Sequence, residues 1–196
     1  MRLLAVIALL VVLPNRSALG QWWTGLELGR TNYRGSAHDT SGGAGPKLRP
    51  GDVSTFAIRV DRRLGSLGLA LRASIGTPGI AADGGSLVVT DRTTGQLIEL
   101  ATLVAVRVGG IGPSGAVRAE LGPALHLWDL DDDIRSRLGA LGALAYEWPV
   151  AERFSGAIRL EGTVSKSWFK EGDLPSQYDR RLTWRYGVTL GLRYRL

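Results

Sequence analysis

The sequence predicts an all-β fold, an eight-stranded antiparallel up-and-down transmembrane β-barrel, on three observations. The first is the stretch Leu182–Leu196. Leu182, Trp184, Tyr186, Val188, Leu190, Leu192, Tyr194 and Leu196 are all apolar or aromatic, while the intervening Thr183, Arg185, Gly187, Thr189, Gly191, Arg193 and Arg195 are all polar or glycine. A two-residue period belongs to a β-strand alone, and this one exceeds the roughly 9–11 tilted residues that cross a bilayer. The second is that seven more segments repeat the alternation. The third is that the connections between them differ in length on the two sides, as in membrane barrels.

The segments follow in order. Met1–Gly20 has Arg2, an apolar core from Leu3 to Leu13 and the small residues Ala18 and Gly20 before Gln21. It is expected to be a signal peptide, its apolar run being too short for a helix of about 20 residues. Residues 21–196 are then the barrel domain. The first strand, Trp22–Tyr33, sets Trp22, Thr24, Leu26 and Leu28 against Glu27, and a polar loop, Arg34–Val53, follows. The second, Ser54–Asp61, sets Phe56, Ile58 and Val60 against Arg59 and Asp61. A tight turn at Arg62–Gly65 leads to the third, Ser66–Gly76, where Arg72 and Ser74 face away from Leu67, Leu69, Leu71 and Ile75.

Thr77–Gln96 is a second long connection, with Ser86–Thr90 a possible strand extension. The fourth strand, Leu97–Val108, carries Glu99 and Arg107 on its polar side. Gly109–Gly115 is a turn. The fifth, Ala116–Trp128, carries Arg118, Glu120 and His126, and Asp129–Asp133 is an acidic loop. Arg135–Trp148 is ambiguous, because Leu138, Leu141, Leu144 and the alanines also suit a helix. The strand reading is adopted because a closed barrel needs even pairing; it puts Arg137 and Glu147 inside. A turn at Pro149–Phe154 precedes the seventh strand, Gly156–Trp168, with Arg159 and Glu161 on its polar side. Phe169–Arg181 is a polar loop before the eighth.

The tight turns at Arg62, Gly109 and Pro149 all fall on one side. Aromatics gather at both ends of the strands, Trp22, Tyr146, Trp148, Phe154 and Tyr194 at one and Tyr33, Phe56, Trp128, Trp168, Phe169 and Trp184 at the other. Two aromatic girdles are expected from this.

The ending Gly191-Leu-Arg-Tyr194-Arg-Leu196 resembles the C-terminal signature of Gram-negative outer-membrane β-barrels, with Leu196 where phenylalanine is usual. Size and strand count are similar to the small eight-stranded members, the OmpX, OmpW and OmpA-type barrels. The resemblance implies residence in the outer membrane among its lipid and lipopolysaccharide, and assembly through the last strand by the barrel-assembly machinery. It also implies a monomer whose outer loops serve envelope integrity or surface interaction.

Charges facing lipid cost about 2–4 kcal/mol at the midplane, so the polar faces are expected to point inward. They collect Glu27, Arg59, Asp61, Arg72, Glu99, Arg107, Arg118, Glu120, Arg137, Glu147, Arg159, Glu161, Arg185, Arg193 and Arg195. Eight strands leave a lumen that side chains fill, so an arginine–carboxylate network is expected. A narrow ion path through it stays open as an alternative. So do an acyl-transfer enzyme at the rim, which the resemblance allows, and a secreted lipocalin-like barrel.

The net charge of +6 comes from dispersed arginines, not a patch, which argues against nucleic-acid binding. There is no cysteine, hence no thiolate chemistry. His38 falls in the first long loop. No serine flanks His126, as a Ser–His nucleophile would require. Asp129, Asp131, Asp132 and Asp133 lack the spacing of a calcium loop. No catalytic residue, metal site or cofactor is expected.

Overall fold

A computed structural model describes residues 21–39, 47–84, 87–91, 95–130, 133–170, 172–174 and 176–196. The proposed signal peptide, Met1–Gly20, lies outside the described residues.

Among the described residues, eleven strands form one antiparallel sheet: β1 (Gln21–Asp39), β2 (Lys47–Pro50), β3 (Val53–Leu64), β4 (Leu67–Gly76), β5 (Ile80–Gly84), β6 (Leu87–Asp91), β7 (Gln96–Gly109), β8 (Ala116–Leu130), β9 (Asp133–Pro149), β10 (Phe154–Ser165) and β11 (Tyr178–Arg195). Eight of them run in the order β11-β10-β9-β8-β7-β4-β3-β1, and β11 pairs back onto β1 to close the barrel. The closing seam runs from Trp23↔Arg195 to Asp39↔Tyr178, with a bulge between Gly35 and Ala37. Ser36, in the bulge, holds φ at 104°, a strained value for a residue with a side chain.

The ambiguous segment is a strand. Asp133–Pro149 pairs with β8 along one edge and β10 along the other. Two paired neighbours override the helical propensity of its alanines and leucines.

Burial is inverted relative to a water-soluble protein. Leu28 is 66% exposed and Leu190 60%, whereas Arg59, Arg159 and Arg193 are each 1% exposed. Every one of the eight barrel strands presents exposed aliphatic residues, from Leu26 on β1 through Ile58, Leu69, Val104, Leu121, Leu144 and Leu160 to Val188 on β11. A contiguous apolar surface around a closed barrel is a lipid-facing belt.

Several expectations are corrected. The two long connections are not plain loops. Their described parts form β2, β5 and β6, a small antiparallel sheet joined to the upper end of β1 through Ala37↔Leu48. The strand in the second connection, β6, is one arm of a hairpin with β5. The turn after β3 is tighter than expected, with Leu64 paired to Leu67 across Gly65-Ser66. Gly65 has φ +65°, which a primed two-residue hairpin turn needs at its first central position. β8 and β9 continue through the expected acidic loop to the pair Leu130↔Asp133; Asp131 and Asp132 lie outside the described residues. β10 ends at Ser165, short of the expected Trp168.

The outer aromatic girdle is also corrected. Phe56 and Trp184 face lipid, 43% and 56% exposed, with Tyr186 beside them. Tyr33, Trp128, Trp168 and Phe169 instead form a buried cluster with Ala37 and Leu97 inside the barrel mouth. Tyr33 and Trp128 share the inward parity of Glu27 and His126. Trp168 and Phe169 lie beyond the end of β10, where alternation no longer applies. At the other end the girdle holds: Tyr146 stacks on Trp148 with ring centroids 5.7 Å apart, and Phe154 on Tyr194 at 5.0 Å.

One seam is irregular. Between Ala101↔Ala124 and Val104↔Leu121 the β7–β8 ladder lacks two pairs, opposite Gly122-Pro123. Proline has no N–H to give, and a Cβ on residue 122 would collide with the carbonyl oxygen of Thr102. Gly122→Ala is therefore expected to destabilise the folded barrel by about 1–3 kcal/mol. The unboiled band in SDS gels should convert at lower temperature, while Gly109→Ala, where a Cβ meets nothing within 4 Å, should leave the transition unchanged.

Candidate functional site

The lumen is built from inward-facing residues of all eight barrel strands. Glu27 comes from β1, Arg59, Asp61 and Arg63 from β3, Arg72 from β4, Glu99 from β7, Arg118, Glu120 and His126 from β8, Glu147 from β9, Arg159 and Glu161 from β10, and Arg185 and Arg193 from β11. The strand period alone brings them to the axis.

At its centre, Glu120 is gripped in a fork by Arg59. Nη1 donates to Oε2 at 2.9 Å and Nη2 to Oε1 at 2.7 Å, and Arg159 Nε adds a third bond at 2.9 Å. Arg59 Nε also donates to Asp61 at 2.8 Å. Arg59 and Arg72 are direct cross-strand partners, a repulsive pairing on its own. Each turns to carboxylates: Arg72 Nε donates to Glu27 at 2.8 Å and Nη1 to Glu99 at 3.0 Å.

Towards the outer end, Glu99 collects Arg72, Arg185, Ser74 and His126, whose Nε2 lies 2.9 Å from Oε2. Glu161 pairs with Arg159, with Arg72 at 3.6 Å and Arg185 at 3.8 Å. Towards the other end, Glu147 pairs with Arg193, with Arg63 at 3.0 Å and with Arg118 at 3.3 Å. Arg193 lies 3.7 Å from Glu27, which joins this group to the rest. The connected web sets seven arginines (59, 63, 72, 118, 159, 185, 193) against six carboxylates (27, 61, 99, 120, 147, 161).

Both ends of the web are covered. Above it, Tyr33, Trp128, Trp168 and Phe169 pack in succession at centroid separations of 6.2, 5.0 and 4.9 Å. Below it, the Arg63 guanidinium lies 4.2 Å over the ring of Trp23, itself buried.

Twelve of the fifteen residues read from the sequence are buried and joined in this way; three are not. Arg107 is exposed at the turn end of β7, beyond the belt, where water solvates it. Arg137 sits at the outer rim and donates to the carbonyls of Ser167 at 2.7 Å and Trp168 at 3.3 Å, strapping down the chain after β10. Arg195 donates to the carbonyl of Glu152 at 3.2 Å, at the opposite mouth. Each lies at a strand end, where parity still holds but the lumen has opened to solvent or backbone.

Sequence reasoning missed Arg63, assigned to a turn although it continues the parity of Arg59 and Asp61, and the roles of Ser74, Thr163 and His126 as partners of the web. Of the C-terminal signature, Gly191 opposes Glu27 and Ala157, Tyr194 packs on Phe154, and the Leu196 amide donates to the carbonyl of Trp22 at 3.0 Å. The backbone of His38 belongs to β1, and its side chain lies outside the described residues. Asp133 is paired with Arg135 and Lys170, and the described residues hold no cluster of three or more potential metal ligands.

No family model and no curated protein matches the sequence. Among solved structures, Neisserial surface protein A aligns with a TM-score of 0.55 at 10% identity, over 88% of this chain and 96% of that one. The N-terminal β-barrel domain of OprF from Pseudomonas aeruginosa gives 0.49 at 12% identity, over 89% and 99%. Ail, the attachment invasion locus protein of Yersinia pestis, gives 0.47 at 11%, over 91% and 99%. At such identities the likeness is one of fold, and it rests on the first of these. Closed sheet, apolar belt and charged lumen define the class of fold: the chain is a closed eight-stranded antiparallel β-barrel with an apolar outer wall, the fold of these outer-membrane proteins.

Removing one partner of a buried ion pair strands the other at a cost of about 3–5 kcal/mol. Glu120→Ala, which leaves both Arg59 and Arg159 without their shared acceptor, should lower the stability of the folded barrel by that order in urea titration. Arg107→Ala should change it by less than about 0.5 kcal/mol.

Proposed function

We propose that the protein is a non-enzymatic, monomeric anchor that holds a folded outer surface on the cell. In this reading Met1–Gly20 directs export, and the last strand, with Gly191, Tyr194 and Leu196, is what the barrel-assembly machinery engages. The barrel body is the anchor. The upper end of β1 with β2, β5 and β6 is the presented surface, and it serves envelope integrity or contact with other surfaces.

The observation that carries this reading is the sealed lumen. A solute path needs a continuous wet channel, and here ion-paired side chains fill the bore and four aromatic rings cap it. A conducting pore would require both to move aside. The belt argues against a lipocalin-like carrier, whose apolar residues would face inward. Against a rim acyltransferase, His126 is buried and bonded to Glu99, and no described serine hydroxyl bonds to it. Of the buried serines, Ser36 and Ser167 bond to each other at 3.2 Å, and Ser36 accepts from the Thr183 hydroxyl.

Two measurements test the proposal. The protein should fractionate with the outer membrane, start at Gln21 by intact mass, and shift in SDS gels on boiling. Recovery in the soluble fraction without a shift overturns it in favour of the lipocalin-like barrel. In planar bilayers the folded protein should show no unitary conductance above leak; resolved openings would establish a pore.

A further inference from the structure

β10 stops at Ser165, paired with Gly139 of β9 and Thr183 of β11. Above that level β9 and β11 continue, each paired only on its far side, to β8 and β1. Among the described residues, those after Ser165 do not fill the place of the missing strand. They turn inward, where Trp168 and Phe169 join the aromatic cap. The barrel wall therefore has a notch at its outer end, a cavity of about 1140 Å³.

The lining of the notch is basic and greasy. Arg137, Lys166, Arg180 and Arg181 supply four cations, against the single carboxylate of Asp179. Leu138 and Leu182 stand on its two sides, 71% and 52% exposed. Lys166 and Arg181 are exposed and pair with no described carboxylate. Depth is fixed by Trp184, the outer girdle residue two positions below Leu182. At about 3.3 Å per residue along a strand tilted about 35–45°, Arg180 and Arg181 lie some 7–11 Å above it, at headgroup level. One more arginine shares this rim on the lipid side of β1: Arg34, paired with Trp184 and lying 5.5 Å over the Tyr186 ring.

Charged side chains on the lipid side of a barrel are tolerated only near the interface, and cations without internal partners there favour an anionic headgroup. We propose that this notch binds a phosphorylated, multi-acyl lipid of the outer leaflet. Lys166 and Arg181 take the phosphate, and acyl chains run down the wall past Leu138 and Leu182. The assignment rests on the membrane reading above and adds to it a defined lipid site.

The test uses the full-length mature protein in zwitterionic detergent, with bis-phosphorylated lipid A as the probe and bound lipid counted by native mass spectrometry. The double variant K166E/R181E should weaken retention about tenfold or more, as expected for losing charge-assisted contacts. R107E/R153E, the same charge change at the opposite mouth, should bind as wild type. Lipid A stripped of phosphate should bind weakly, and excess inorganic phosphate should not displace the intact lipid. Equal retention by K166E/R181E, equal loss in R107E/R153E, tight binding of the stripped lipid, or displacement by free phosphate would each overturn the site. The heat shift is read on every sample. A protein that never shifts overturns the membrane reading, while a shifting protein that fails the lipid comparison overturns the notch alone.

Discussion

A β-sheet has two edges, and in hydrocarbon an unpaired row of N–H and C=O groups has no water to satisfy it. The pairing of β11 with β1 removes both edges at once. It joins the two ends of the chain, and the rest of the structure is conditional on it. Once the sheet closes, strand parity becomes an inside and an outside. With eight strands the inside is narrow enough that side chains must fill it. What fills it is decided by what the lipid face cannot carry, so the charges go in and the aliphatic residues go out.

The charged interior has its own constraint. Ions taken from water are costly unless nearly every donor meets an acceptor. The web answers much of this by sharing, although side-chain nitrogens of Arg118, Arg159, Arg185 and Arg193 are buried without a hydrogen bond. Glu120 serves Arg59 and Arg159, Glu99 serves Arg72, Arg185 and His126, and Glu147 serves Arg63, Arg118 and Arg193. Shared acceptors also let Arg59 and Arg72 sit opposite one another on adjacent strands. The aromatic cap and the Arg63–Trp23 contact finish the two ends, where the web would otherwise meet bulk water and be screened.

Alternation made the barrel legible in the sequence, and it failed only where alternation itself ends. Glu27, Arg59, Arg72 and Glu161 lie mid-strand, where parity directs them to the axis. Arg107, Arg137 and Arg195 have the same parity at strand ends, where the bore no longer encloses them. Trp168 and Phe169 were grouped with the girdle by their position near a strand end, although beyond Ser165 no periodicity directs them. Tyr33 and Trp128 were legible as inward by the same parity that placed Glu27 and His126; the habit of putting aromatics at the membrane interface competed with it. Of the rim sheet only β6 shows in the sequence, as the possible strand at Ser86–Thr90; β2 and β5 are hidden because such strands are only four or five residues long and sit among glycine-rich connections. Pairing partners that could not be seen in the sequence are what make them strands.

The web also bears on how the chain reaches its native state. Its ion pairs join residues far apart in the chain, such as Arg72 with Glu27, Arg185 with Glu99 and Arg193 with Glu147, and no single hairpin contains it. A half-assembled sheet would hold several of these charges unpartnered at the edge of the lipid, a penalty that only the later strands cancel. Such a molecule has few stable stopping points between an unfolded chain and a complete ring. Contacts of this sequence separation favour slow, all-or-none assembly, which makes the lumen a lock on completeness as well as a filling.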